Sequence, residues 1–286
     1  MTGINKLISK ALPGDIILLA PEDDMPESAK PEKCIIKADF DTPFELIEYA
    51  MSHPFSHYIQ YKADTYTDEL QISCNMLSKR SNFKLDGIIE NLKGEQFERY
   101  KIDDVHRFQF RCRDDVGKIE QSIEQCLEAL PRNQVTTSAV PLIIDEFMTN
   151  AIYSAPLGVE PEWDNVRQRD NSEIVYSGDR CGIVGVAAND EYIFLECIDP
   201  YGTLVPQNII SGICQTYKRG DKQVLRDDET RGGGIGSRMI WDKCVTFGIN
   251  VIRHNCAMVF CVIPYRLSLR KIANHPKSLH IMVSGE

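Results

Sequence analysis

Leu142-Ile-Ile-Asp-Glu-Phe-Met-Thr-Asn-Ala-Ile-Tyr-Ser-Ala155 reads as a buried helix. Leu142, Ile143, Phe147, Met148, Ala151 and Ile152 recur at three- and four-residue intervals and make one broad apolar face. Two polar residues break that pattern. Glu146 and Asn150 stand four apart, so their side chains leave the same flank of the helix and can reach one shared object. A carboxylate there can serve as a base, and a carboxamide can ligate a hard cation. Without company, such a pair reads as a solvated helix flank.

Two later stretches supply company. Tyr192-Ile-Phe-Leu-Glu-Cys-Ile198 is a strand running into Asp199-Pro-Tyr-Gly202, which delivers a carboxylate and then a glycine turn; a plain strand-terminal turn is the competing account. Arg231-Gly-Gly-Gly-Ile-Gly236 precedes a helical pattern from Ser237 to Val245. A glycine loop feeding a helix N-terminus lets phosphate oxygens approach backbone N–H groups, and the helix dipole favours the anion. No Gly-Lys-Ser/Thr follows, so this is not a Walker A loop, and it lacks Rossmann spacing.

In this order, Glu-x-x-x-Asn, Asp-x-x-Gly and Gly-x-Gly-Ile-Gly resemble the N, G1 and G2 boxes of the GHKL (Bergerat-fold) ATPases. Within that superfamily the chain is most similar to the compact histidine-kinase-like domains of anti-sigma-factor serine kinases, from about Asp103 onward. The resemblance implies ATP and Mg²⁺ as cofactors. Asn150 would ligate the metal, and Glu146 would be the general base that takes a proton from a protein hydroxyl or from water. Asp199 would accept from the adenine amino group and Gly202 would let the base lie close. Gly232, Gly234 and Gly236 would cradle phosphate, with Lys218, Arg219, Lys222, Arg226 and Arg231 neutralising charge from a lid. Two departures from the family pattern stand out. Its Asp-x-Gly-x-Gly is Asp-Pro-Tyr-Gly-Thr here, with Pro200 removing a backbone donor, and its late threonine has no equivalent in Asn255-Cys-Ala-Met-Val259.

The expected activity is phosphorylation of a Ser or Thr on a partner protein, an anti-sigma antagonist or sigma-like factor by resemblance, in a bacterial setting. A homodimer is an expected assembly. The rival is a non-catalytic module with a degenerate pocket that sequesters a partner. A sensor histidine kinase fits less well, because no pair of long helices carries a phosphoacceptor His and His106 lies in a strand-like segment.

Composition bounds these readings. The 286 residues carry a formal net charge of -10, with 43% hydrophobic and 26% charged residues. Those proportions suit a globular chain, and the acidity argues against a nucleic-acid partner. No apolar run is long enough to span a bilayer and the N-terminus lacks a signal-like segment, so the expected address is cytoplasmic. Ten cysteines are scattered without a Cys-x-x-Cys pair and read as reduced, buried side chains. A zinc site on Cys256 and Cys261 is disfavoured, because an extended chain between them points the thiols in opposite directions.

The expected fold class is α+β: a small α/β domain over residues 1–100, then a C-terminal α/β sandwich over 101–286 whose mixed sheet is covered by helices on one face. The first part alternates a helix at Asn5–Leu12, strands at Asp15–Ala20, Lys33–Ala38 and His57–Lys62, and helices at Pro43–Ser52 and Thr67–Leu77. Its acidic Glu22-Asp23-Asp24 weakly resembles a receiver-domain pocket, although a proline-rich loop follows and no phosphoacceptor aspartate is evident. One helix is expected within Leu85–Asp104. The second part reads as a strand at Arg107–Arg111, a helix at Asp114–Leu130, the Glu/Asn helix, and a hairpin of Cys181–Ala188 with Tyr192–Ile198. A helix at Pro206–Tyr217 follows, then strands at Asn250–His254 and Met258–Ile263, and a tail from Pro264.

Overall fold

The computed structural model describes residues 16–21, 23, 30, 33–53, 55–60, 62–63, 65–78, 87–93, 97–156, 175–219 and 235–285. The helix expected at Asn5–Leu12 lies outside them, as do Glu22 and Asp24 of the acidic cluster. The fold is of the α+β class. Its strands are β1 Ile17–Leu19, β2 Cys34–Ala38, β3 His57–Gln60, β4 His106–Phe110, β5 Gly182–Ala188, β6 Tyr192–Asp199, β7 Thr246–Ile252, β8 Cys256–Pro264 and β9 Ser278–Ser284. They form one mixed sheet in the order β1-β2-β3-β9-β7-β8-β6-β5-β4. Residues on both sides of Lys101 thus share a sheet.

The helices are α1 Pro43–Ser52, α2 Tyr66–Ser78, α3 Asp114–Cys126, α4 Val140–Thr149, α5 Pro206–Arg219, α6 Ile235–Lys243 and α7 Leu269–Ala273. Period-two alternation sorts the strand residues onto two faces. Cys197, Phe247, Ile249, Ala257, Cys261 and Leu279 face α1 and α3 to α6. Phe194, Met258, Phe260, Val262 and Met282 face the other way, against Ile72 and Met76 of α2 and the stretch from Ile88 to Ile102. Helices on one face were expected; the opposite face is covered too. Cys256 and Cys261 fall in separate cores on opposite faces. In place of a full helix in Leu85–Asp104, the described residues hold one 3-10 turn, Ile89–Leu92.

Residues after Pro264 are not a tail. They form α7 and β9, and β9 pairs parallel with β7 and antiparallel with β3. Its alternate residues Ser278 and His280 are polar yet fully buried; the Ser278 hydroxyl has no hydrogen-bond partner among the described residues, whereas both ring nitrogens of His280 are engaged. His280 Nε2 donates to Glu69 Oε2 at 2.8 Å, and His280 Nδ1 lies 3.1 Å from both His57 Nδ1 and Ser73 Oγ. Tyr100 completes the group, its hydroxyl donating to Glu69 Oε1 at 2.6 Å. A second latch fastens the same cover. Glu196 of β6, fully buried, accepts from the Ile89 N–H at 3.0 Å and pairs with Arg107 at 3.2 Å. Gly87 (φ +67°) is needed beside it, since a Cβ there would lie 2.1 Å from Glu196 Oε1.

Leu279 of β9 is fully buried in the larger core. Leu279→Ala should cost about 2–5 kcal/mol. In urea denaturation this appears as a lower midpoint with an unchanged slope; a midpoint equal to that of the parent chain would show that β9 carries little of the stability.

Candidate functional site

The Glu/Asn helix is longer than its sequence pattern suggests. A helical run starts at Gln134, and Asn133 Oδ1 just before it accepts from the N–H groups of Val135 and Thr136 at 2.8 and 3.2 Å as an N-cap. A wide π-type turn, Val135–Ala139, leads into α4 and accommodates Pro141, which has no N–H to give to the preceding turn. A second such turn, Asn150–Ser154, follows α4, with the Ala155 N–H bonding to the Asn150 carbonyl at 3.1 Å. Insertions of this kind often mark functional sites. Ile143, Phe147, Met148, Ala151 and Ile152 are buried as the periodicity requires, while Leu142 is half-buried.

Glu146 and Asn150 meet as their spacing predicts: Asn150 Nδ2 donates to Glu146 Oε1 at 2.9 Å. That contact leaves Asn150 Oδ1 as a neutral oxygen donor. Burial pushes the Glu146 carboxyl above its ordinary range, the Asn150 hydrogen bond opposes this, and neighbouring Asp145 adds to it.

Asp199 ends β6 on the face turned toward the helices, two residues past Cys197. Its Oδ1 accepts from the N–H groups of Tyr201 and Gly202 at 2.9 and 3.1 Å. Gly202 has φ +66°, and a Cβ there would lie 2.2 Å from the Ile252 carbonyl, so this turn admits only glycine. Thr203 then donates to the Ala155 carbonyl at 2.6 Å, fastening the turn to the end of the Glu/Asn helix. Burial raises the Asp199 carboxyl from 3.8 to about 6, against the lowering effect of the Tyr201, Gly202 and Ala257 N–H groups.

Glu146, Asn150 and Asp199 line one cleft of about 400 Å³ between the sheet and helices α4, α5 and α6. Cys197, Phe247, Ala257 and Val259 give it an apolar floor. Thr203, Asn208 and Ser237 add polar groups that sequence reasoning did not single out; Cys197 alone was legible, from its parity with Asp199. Gly236 sits against Glu146, since a Cβ on it would lie 1.9 Å from Glu146 Oε1. Gly202 is in the turn behind Asp199. Gly232, Gly234, Lys222, Arg226 and Arg231 lie outside the described residues. Lys218 and Arg219 lie in the last turn of α5, and Lys218 pairs with Glu48 of α1 at 2.8 Å. Among the described residues that line the cleft there is no Lys or Arg.

No family model matches the chain, and no curated protein matches it. Among solved structures, the crystal structure of the SiaB-SiaC complex from Pseudomonas aeruginosa is similar at 15% identity and a TM-score of 0.33, over 55% of this chain and 88% of that one. A likeness of that size carries no weight for fold or function. No helix among the described residues is long and apolar enough to cross a membrane.

Asp199 is a carboxylate held where charge is costly. Between its unfolded pKa near 3.8 and its folded value of about 6, the folded state binds the extra proton, so stability falls as pH rises through this window. Above it the penalty is complete, at most about 3 kcal/mol. Asp199→Asn should therefore melt higher than the parent at pH 7.5, and the gap should close as pH falls from 6 to 4. Thermal melts across pH test this; a gap that does not vary with pH would mean the carboxylate is not penalised.

Proposed function

We propose that the cleft binds Mg²⁺-ATP and that the chain is a serine/threonine protein kinase of the anti-sigma-factor type, acting on a partner protein. The observation that carries this reading is the convergence of Glu146, Asn150 and Asp199, from two distant segments, on one cleft with an apolar floor. The residues suit the ligand. A flat base fits between Ala257, Val259 and Phe247, with the Asp199 carboxylate as an acceptor for an exocyclic amine. An ionised Glu146 lets a polyphosphate approach only with a cation between them. Asn150 Oδ1 is a neutral oxygen suited to such an ion, which when bound supplies charge neutralisation at the phosphates. Gly236 lets the N-terminus of α6 come close to Glu146.

Glu146 then has a defined task. A carboxylate whose proton affinity is raised by burial is a better base than an exposed one, and it can take the proton of an attacking hydroxyl. The amide of Asn150 orients it through the hydrogen bond at 2.9 Å. The rival reading is a module that sequesters a partner and does no chemistry. It draws on Pro200 in the turn after Asp199 and on Ala257 and Val259 at the floor, where no threonine is available to a base.

Calorimetric titration with Mg²⁺-ATP separates the two. Wild type should give a saturable heat that Asn150→Ala reduces at least about tenfold, as expected for loss of a metal ligand. Glu146→Ala should bind ATP within about threefold of wild type yet lose about 100-fold or more in phosphoryl transfer, measured with labelled ATP and a candidate protein substrate. Equal, negligible heats for wild type and Asn150→Ala would favour the sequestering module.

A further inference from the structure

Helices α5 and α6 each contribute to the cleft from their N-terminal halves, through Asn208 and Ile209 and through Ser237 and Ile240. Away from the cleft they are joined by three side chains for which the proposed chemistry has no use. Tyr217, in the last turn of α5, donates its hydroxyl to Asp242 Oδ1 at 2.5 Å. Arg238 Nε donates to Asp242 Oδ2 at 2.8 Å. The Arg238 guanidinium also lies 3.5 Å from the centre of the Tyr217 ring. Each member thus touches the other two, and both carboxylate oxygens are engaged. Burial, then the bond to Asp242, pushes the Tyr217 hydroxyl upward, while Arg238 lowers it.

This triangle is placed to control one end of the cleft. Arg238 is two residues from Gly236, which sits against the Glu146 carboxylate. Sliding or rotating α6 against α5 would break the Tyr217–Asp242 hydrogen bond and the cation–ring contact together, while the Arg238–Asp242 bond, internal to α6, fixes the two partners of Tyr217 relative to each other. The triangle is also buttressed from the first hundred residues. The Phe44 ring of α1 lies 5.1 Å from the Tyr217 ring, and Glu48 of α1 pairs with Lys218 at 2.8 Å.

We propose that Tyr217, Arg238 and Asp242 are positioning residues that hold the N-terminus of α6 in register with Glu146, and that α1 bears on this clamp through Phe44. The inference rests on the nucleotide reading of the cleft and adds an element of control to it. The N-terminal segment sets how well the phosphate end of the cleft is formed, without touching ligand. Misplacing a reacting group by about 1 Å can cost on the order of 100-fold in rate, so a small shift of α6 suffices.

Tyr217→Phe tests the clamp, because it keeps the ring against Arg238 and Phe44 and deletes only the hydroxyl. In the full chain without nucleotide, amide hydrogen exchange over residues 235–243 should quicken about tenfold while that over 140–149 stays at its wild-type rate. Calorimetry should then show Mg²⁺-ATP binding weakened about tenfold and adenosine binding unchanged, since adenosine lacks the phosphates that face α6. Phe44→Ala should shift exchange and ATP affinity in the same direction by a smaller factor. Wild-type exchange over 235–243 in Tyr217→Phe overturns the clamp whatever the ligand data show. Faster exchange with equal losses for adenosine and Mg²⁺-ATP overturns the positioning role in favour of general loosening. Phe44→Ala indistinguishable from wild type in both readouts overturns the part assigned to α1. Wild type that binds neither ligand defeats the nucleotide reading and the positioning role with it, a result separable from the others because it appears before any substitution is made.

Discussion

The hydrogen bond from His280 to Glu69 is the constraint on which the architecture turns. β9 places buried polar side chains in the middle of the sheet, and a buried donor or acceptor without a partner costs about 1–3 kcal/mol. For His280, Glu69 and Ser73 of α2 and His57 meet that requirement, and Tyr100 shares Glu69. They can do so only if α2 and the stretch to Ile102 lie across that face. The other face is thereby left to α1 and α3 to α6, and the cleft can open only on that side. The location of Asp199 follows, because it has the same strand parity as Cys197 and Leu195.

Much of this was legible in the sequence where apolar periodicity was strong. The Glu/Asn helix, the hairpin of β5 and β6, and the pairing of Glu146 with Asn150 all follow from spacing. The N-terminal extension of that helix was not, because Pro141 reads as a stop while a π-type turn absorbs it. β9 was missed for a different reason. Ser278 and His280 look like solvent-facing positions, and only a partner more than 200 residues earlier, Glu69, reveals that they are inside. Period-two alternation of Leu279, Ile281 and Val283 was the available signal. The polar lining of the cleft from Thr203, Asn208 and Ser237 carries no local signature, since each is an ordinary loop or helix-end residue until the chain is folded.

Stability and chemistry pull against each other in the cleft. Asp199 and Glu146 are both carboxyl groups whose proton affinity is raised by burial, so each is a charge that the fold would hold more cheaply in water. Such sites are where perturbed groups tend to have a use. By contrast Lys277, also fully buried, is accounted for by structure. Its ammonium donates to the carbonyls of Cys244 and Ile272, where α6 and α7 end, a favourable place for a cation.

The position of β9 in the chain also matters for biosynthesis. A ribosome delivers this strand after both of its neighbours, β3 and β7, so a nascent polypeptide holds two facing sheet edges open until synthesis has passed Ser284. Unpaired edges of that kind invite pairing with other chains.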